Sequence, residues 1–351
     1  MKLFFDPGVL AHVPAQFMVA GKIVPPVENP DRAVALAGAL EAIGFNRTIP
    51  ADAGLDPIHA VHADHYVAFL REAYDRFVAL PDHGPEVWPN VHPYLSAGPD
   101  LSPRRPPRAT GIIGRAGWYV GDMACAIMAG TWDAAYASAQ TAIGGADSLL
   151  VGERAAFALC RPPGHHAYAD RASGFCFLNN AAIAAERLRT RLARVAIVDF
   201  DTHHGDGTQA VFYRRNDVLV CSGHTDPSNY YPHFIGYADE TGAGAGEGYN
   251  VNLPLPPGSR DEIFLEAVRT MADAVRAFSP DALIVSAGWD AHRDDPLSKL
   301  TVTTDGFAGA GEILGALRLP TLIVQEGGYS LSAVKEVAPR FMTAFRAAAG
   351  V

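Results

Sequence analysis

Short runs of β-branched and other apolar residues alternate along the chain with longer stretches in which apolar positions recur every three or four residues. Val195–Asp199 (VAIVD), Val218–Ser222 (VLVCS), Ala282–Ser286 (ALIVS) and Thr321–Gln325 (TLIVQ) predict strands. They are apolar throughout rather than alternating, the pattern of a parallel sheet covered on both faces. The helical pattern runs over Asn180–Leu192, Arg260–Phe278 and Thr304–Leu317, and a last helix runs from about Ser332 to Ala348. This alternation predicts βαβ units and an α/β fold, a central and mostly parallel sheet flanked by helices on both faces. In such sheets ligands bind beyond the carboxyl ends of the strands, so the residues that follow each strand carry the chemistry. One stretch breaks the pattern: residues 81–110 are rich in Pro and Gly and have no periodicity. A loop of that length inside a compact domain points to a lid, a binding loop or an oligomerisation arm. No linker and no internal repeat divides the chain, so residues 1–351 are expected to form one domain with this long insertion.

Composition narrows the function. Of 351 residues, 49% are hydrophobic and 19% charged, an ordinary globular balance that excludes disorder for the whole molecule. The 38 acidic and 28 basic side chains leave a net charge of −10. That argues against nucleic acid as a partner and suits a cationic small substrate. Four cysteines (Cys125, Cys160, Cys176, Cys221) form no CxxC pair, so neither a disulfide framework nor a thiolate zinc site is indicated. Asp6, Pro7, His12 and Pro14 interrupt the N-terminus before any export signal could form. No window approaches the roughly 18 apolar residues of a membrane span. The expectation is a soluble cytoplasmic protein without a membrane partner.

After VAIVD the chain reads FDTHHGDG (200–207). Asp201 and His203 are two residues apart, and on an extended strand end they project to the same side. A carboxylate oxygen and an imidazole nitrogen would meet there, two ligands of a catalytic zinc site, with His204 free to bind or orient. After ALIVS comes AGWD, which sets Asp290 beyond a buried strand end. A carboxylate there is costly unless a cation or hydrogen bonds accept it. Asp201, His203 and Asp290 would leave the fourth position of a zinc ion open to water. The same donors also accommodate ferrous iron. In RPPGHH (161–166) the prolines stiffen a loop that carries His165 and His166. Each imidazole needs a partner for its second nitrogen, and Asp199 and Asp206 flank the metal segment as candidates. A loop with two exposed histidines is the plainer reading. TLIVQ leads into EGGY, where Gly327 and Gly328 would let Tyr329 turn inward to donate to a forming oxyanion. A simple turn is the alternative.

Taken together these pieces resemble the arginase/deacetylase superfamily, and within it the zinc-dependent histone deacetylases. The matching segments are RPPGHHA (161–167), SGFCFLNN (173–180), DFDTHHGDGTQ (199–209), SAGWDAHRDDP (286–296) and EGGYS (326–330), in family order. GKIVPPVENPDRA (21–33) and YYPHFIGYADETGAGAGEG (230–248) look like the bacterial acetylpolyamine amidohydrolases. The resemblance implies the arginase/deacetylase fold and Asp201, His203 and Asp290 as zinc ligands. It implies His165 and His166 as the catalytic pair, with His166 the general base and acid and Asp199 and Asp206 behind them. Tyr329 would be the oxyanion donor, and Gly174, Phe175, Tyr231 and Gly327 would contact substrate. It also implies a structural potassium or sodium ion on Asp199, Asp201, His203, Ser222 and Gly223. A second monovalent cation would lie near Phe212, Arg215, Val218 and Tyr249. The 81–110 loop would form a homodimer and narrow the entrance.

The implied reaction is hydrolysis of a small acetylated amine, such as acetylputrescine, acetylcadaverine or acetylspermidine, to acetate and free amine. The second reading is a protein-lysine deacetylase with the same catalytic residues, and the third a non-catalytic acyl-lysine reader. The binuclear manganese ureohydrolases need a further carboxylate where this chain has Gly288. One departure bears on substrate: an acidic residue expected just before Gly117-Trp118-Tyr119 aligns with Ile113, among Arg104, Arg105, Arg108 and Arg115. Gly223, after Ser222, replaces a bulkier residue.

Overall fold

The computed structural model describes residues 1–93 and 104–351. Its strands are β1 (Lys2–Phe4), β2 (Phe17–Val19), β3 (Lys22–Val24), β4 (Asn46–Thr48), β5 (Ala155–Ala158), β6 (Val195–Asp199), β7 (Val218–Thr225), β8 (Asn250–Leu255), β9 (Ala282–Ala287) and β10 (Thr321–Gln325). Its helices are α1 (Pro30–Ala42), α2 (Asp56–His59), α3 (Asp64–Val78), α4 (Ile112–Tyr119), α5 (Thr131–Leu150), α6 (Asn180–Arg189), α7 (Asp206–Phe212), α8 (Asp261–Phe278), α9 (Thr304–Gly315) and α10 (Leu331–Ala349). Eight strands form one sheet in the order β4-β1-β5-β10-β9-β6-β7-β8, and every pairing in it is parallel. The remaining two strands, β2 and β3, make a separate antiparallel hairpin.

Helices cover both faces, as the continuous apolar strands require. Along β6, Ala196 and Val198 point to a core built with α1, α8, α9 and α10, while Val195 and Ile197 point to one built with α3, α4, α5 and α6. Local signals start and stop the helices. The side chain of Asn29 caps α1 ahead of Pro30, Thr303 caps α9, Ser330 caps α10, and Gly350 ends α10 in the left-handed conformation. On α8 the buried Phe264, Val268, Met271, Val275 and Phe278 recur at helical spacing.

Two boundaries differ from the sequence expectation by three residues. Strand β7 continues to Thr225 because β8 pairs with it up to Leu255. Helix α6 stops at Arg189, whose guanidinium binds the carbonyls of Leu192 and Ala193 and so turns the chain where the apolar pattern runs on. Strands β1, β4 and β5 have only three or four residues each, and β8 carries Asn250, Asn252 and Pro254; none of them has a clear pattern.

The flanks of the 81–110 stretch are tied to the body; residues 94–103 of that stretch lie outside the described residues. Glu86 is buried and accepts from the Ala15 backbone N–H (2.6 Å). Val87 bridges to Ile127. The Arg104 side chain binds Asp170 (3.0 Å) and lies over the Trp118 ring.

Phe200 links the fold to the strand ends. It is wholly buried among Phe264, Trp289, Phe307 and Phe341, with ring centroids between 5.3 Å (Phe341) and 6.4 Å (Phe264) away. Its anchorage holds Asp199 and Asp201, on either side of it, at the top of the sheet. Phe200→Ala should destabilise the protein by about 3–5 kcal/mol. A urea melt should show this as a lower midpoint with an unchanged slope.

Candidate metal centre and active site

The four central strands, β5, β10, β9 and β6, end side by side, and the segments that leave them carry His165 and His166, Glu326 and Tyr329, Asp290, and Asp199 to Asp206 respectively. Parallel pairing puts all four carboxyl ends on one edge of the sheet, which brings together side chains far apart in sequence.

Asp201, His203 and Asp290 converge, but not along an extended strand. Strand β6 ends at Asp199 and the chain bends, so that the His203 backbone N–H donates to Asp201 Oδ1 (2.8 Å). His203 Nδ1 then lies 3.1 Å from Asp201 Oδ1 and 3.1 Å from Asp290 Oδ2. The three ligand atoms all fall within 4.8 Å of one another, the one such group among the described residues. The backbone N–H of Thr202 donates to Asp290 Oδ1 (3.0 Å) and that of Gly327 to Asp201 Oδ2 (2.8 Å). A Cβ on Gly327 would fall on both carboxylates, and one on Gly288 would fall on Asp201. The Gly288 position therefore leaves no room for a second bridging carboxylate.

Both carboxylates are fully buried. Burial and the charge of Asp201 push the Asp290 carboxyl up to about 7. Burial works against a charged His203, yet its bonds to Asp201 and Asp290 raise it to about 9. Burial also opposes the charge on Asp201, but His165 and His203 hold it below the usual carboxylate range. Two buried carboxylates and one imidazole with surplus negative charge fit a divalent cation, and three protein donors suit a catalytic zinc site.

The paired histidines are buried, at 3% and 4% exposure, so the exposed-loop reading fails. His165 Nδ1 is 2.9 Å from Asp199 Oδ2, and His166 Nδ1 is 2.6 Å from Asp206 Oδ1. The Tyr168 hydroxyl donates to Asp206 Oδ2 (2.8 Å). Each carboxylate accepts a proton-bearing Nδ1, which leaves Nε2 of a neutral ring as its basic atom. Burial and the neighbouring His165 charge bring His166 down to about 4 against the pull of Asp206. Burial also opposes charge at His165, but Asp199 and Asp201 outweigh it and hold that ring well above the ordinary histidine value. A free base thus lies beside an imidazolium, ring centroids 4.0 Å apart. Glu326 joins this loop to β10 by accepting the backbone N–H groups of Gly164 (2.7 Å) and His165 (3.1 Å). Sequence reasoning missed it, although a carboxylate directly after a buried strand was the available signal.

A cavity of about 370 Å³ opens beside these groups, with His166, His203, Gly174, Phe175, Tyr231 and Tyr329 in its wall. A Cβ on Gly174 would strike the His166 ring. Phe175 packs between Phe17 (5.1 Å) and Tyr329 (5.8 Å), Tyr231 meets His166 edge-on (4.9 Å), and Tyr230 stacks on His203 (4.7 Å). Tyr329 turns into the cavity, so EGGY is more than a plain turn. The Arg32 guanidinium lies 4.5 Å from the Tyr329 ring centre and donates to the carbonyls of Gly328 (2.5 Å) and Glu326 (2.7 Å). Buried Glu28 holds Arg32 (2.8 Å) and Arg161 (2.8 Å) together beneath it. Burial raises the Tyr329 phenol well above its ordinary value despite Arg32, so it stays protonated as a donor.

The acidic group at this cavity is Asp122, the one carboxylate in its wall among the described residues. Its Oδ2 accepts from the Gly174 N–H (2.8 Å) and the Tyr231 hydroxyl (2.7 Å), and its Oδ1 from the Ala124 N–H (2.9 Å). Ile113, where the resemblance implies an acidic residue, lies on α4 and packs its side chain against the core. Two of the surrounding arginines are neutralised, Arg104 by Asp170 and Arg115 by Glu72.

His204 turns away from the ligand cluster to Asn252 Oδ1 (3.1 Å) and packs edge-on to His224. Ser222 pairs in register with Asp199, so Ser222 and Gly223 lie beside the metal segment. His224 Nε2–H donates to the Gly236 carbonyl (2.8 Å), so its Nδ1 accepts the Ser222 hydroxyl proton (2.9 Å). Phe212, Arg215, Val218 and Tyr249 gather where α7 ends and β7 and β8 begin. There the Phe212 carbonyl accepts from Arg215 and the Tyr249 carbonyl from Val220.

Residues 26–345 match the histone deacetylase domain. The chain is 46% identical over 351 residues, all of both proteins, to acetylpolyamine amidohydrolase of Burkholderia pseudomallei (strain 1710b). It is 42% identical over 316 residues, 90% of each protein, to acetylpolyamine amidohydrolase of Mycoplana ramosa. A crystal structure of acetylpolyamine aminohydrolase from Burkholderia pseudomallei superposes with TM-score 0.94 at 46% identity, covering 99% of each chain.

In protein stripped of divalent metal, ¹⁵N chemical shifts should show His166 neutral, with its proton on Nδ1, from pH 8 down to about pH 5. Its pKa is depressed to about 4, so protonation sets in only as pH falls toward that value. His165, held above the ordinary histidine value, should take up its second proton at a higher pH than a free histidine. A His166 ring that titrates near 6.5 would contradict this electrostatic arrangement.

Proposed function

The chain belongs to the histone deacetylase family, and from that premise we propose a zinc-dependent amidohydrolase that removes acetyl groups from small acetylated amines. Acetylpolyamines such as acetylputrescine, acetylcadaverine and acetylspermidine are the substrates, and acetate and free amine the products. The observation that carries this reading is the convergence of a three-ligand metal site, a neutral His166 backed by Asp206, and an inward Tyr329 on one cavity.

Asp201, His203 and Asp290 would hold the zinc ion, which when bound would supply Lewis acidity to the acetyl carbonyl and to the attacking water. His166 takes the water proton on Nε2, and Asp206 steadies the imidazolium that results. Tyr329 donates its hydroxyl proton in a hydrogen bond to the oxyanion as it forms. His166 then gives its proton to the leaving nitrogen as the C–N bond breaks, which returns the ring to its starting state.

Several features support a cationic aliphatic substrate. Met18, Phe175 and Leu297 give the cavity apolar walls, and Asp122 adds a single negative charge. The full-length relatives carry acetylpolyamine amidohydrolase as their name. A protein-lysine deacetylase would use the same catalytic residues and is the second reading. A potassium or sodium ion on Asp199, Asp201, His203, Ser222 and Gly223 belongs to this proposal, as does a second near Phe212, Arg215, Val218 and Tyr249. So does a homodimer: exposed Val19, Ile23 and Phe234 leave apolar surface near the cavity mouth for a second copy to cover. All four cysteines are unpaired and buried, which suits a reducing cytoplasm.

Acetate release by zinc-loaded protein tests the reading. Acetylputrescine should turn over, and Tyr329→Phe should lower kcat by about 10²–10³-fold. His166→Ala should abolish turnover. A preference for an acetyl-lysine peptide would favour the protein deacetylase instead. Against N-pentylacetamide, the neutral isostere of acetylputrescine, wild type should prefer the cation in kcat/KM, and Asp122→Asn should erase that preference.

A further inference from the structure

Asp295 takes no part in the reaction described above, yet its carboxylate is buried and fully engaged. Its Oδ2 accepts the backbone N–H groups of Tyr329 (2.6 Å) and Ser330 (2.9 Å), and its Oδ1 accepts that of Leu297 (3.0 Å). The Leu297 carbonyl accepts the Tyr230 hydroxyl, and the Tyr230 ring lies flat on His203, with an interplanar angle of 13°. One carboxylate therefore completes a chain of contacts from the metal ligand His203, through Tyr230 and Leu297, to the backbone of Tyr329. Leu297, Tyr230 and Tyr329 all line the same cavity.

This connection answers a specific weakness. Strand β10 ends at Gln325, so no sheet ladder holds Tyr329, and at Gly328 the backbone has φ +114°, a conformation open only to glycine without strain. Arg32 steadies the ring from one side. The backbone of Tyr329 is held by Asp295, whose charge also sits at the N-terminus of α10, where a helix favours an anion. An oxyanion donor acts only at hydrogen-bond distance from the developing charge, and a misplacement of about 1 Å can cost on the order of 10²-fold in rate.

We propose that Asp295 is a positioning residue that sets the Tyr329 hydroxyl in register with the metal centre, so that the contribution of Tyr329 to the reaction depends on it. This rests on the deacetylase reading. Asp295→Asn keeps the shape but exchanges one acceptor oxygen for an NH₂ group. In zinc-loaded protein it should lower kcat for acetylputrescine by about 10–100-fold with KM within about twofold. In a Tyr329→Phe background the same substitution should change kcat by less than about threefold, because the donor it positions is gone. Tyr230→Phe breaks the chain at its other end and should show a smaller loss with the same dependence on Tyr329. It decides the matter if Asp295→Asn fails to fold. Equal losses with and without the Tyr329 hydroxyl, or a fall in bound zinc in place of kcat, would overturn the proposal. A Tyr329→Phe protein as fast as wild type would overturn the role of Tyr329 itself, and this proposal with it.

Discussion

Everything at the top of the sheet is arranged around two carboxylates, Asp201 and Asp290, buried at contact distance from one imidazole. Like charges this close and this dry repel strongly unless a cation, a proton or hydrogen-bond donors compensate them. The backbone N–H groups of Thr202, His203 and Gly327 all point at them. Gly288 and Gly327 lack side chains where any Cβ would collide with them. Parallel order is what allows this crowding, because four adjacent strands deliver their carboxyl ends to one edge.

The same logic repeats outward. Asp199 and Asp206 stand behind His165 and His166, Glu326 ties the histidine loop to β10, and Glu28 holds Arg161 and Arg32 beneath Tyr329. Each buried charge has an opposite charge or a set of donors next to it, so removing one partner strands another. Such a network favours one arrangement of the site over its alternatives. It also separates the two histidines: at similar depth, one is a free base and the other an imidazolium, because His165 lies near Asp199, Asp201 and Glu326, whereas His166 has Asp206 alone and faces the charges of His165 and His203.

Selectivity has a different basis. The cavity wall combines apolar side chains with one carboxylate, Asp122, that also pins Gly174 and Tyr231. The wall and its charge are therefore one structural unit. This explains why the basic character of nearby sequence says little about the cavity: Arg104 and Arg115 are spent on Asp170 and Glu72.

Strands β6, β7, β9 and β10, the long helices and the candidate ligands Asp201, His203 and Asp290 were legible in the sequence, because periodicity and short spacings are local properties that follow directly from residue order. Pairing between His165, His166 and their carboxylates was legible only as a possibility. The tertiary structure decided which partner each histidine takes, that the metal segment meets through a bend and not an extended strand, and that Asp122 lies in the cavity wall. It alone revealed Glu326, Asp295 and the Glu28–Arg32–Arg161 cluster. Those interactions join residues up to about three hundred positions apart, as Arg32 and Gly328 do. No local pattern encodes such a contact, which exists only once parallel strands bring distant loops to one edge and burial makes each unpaired charge costly.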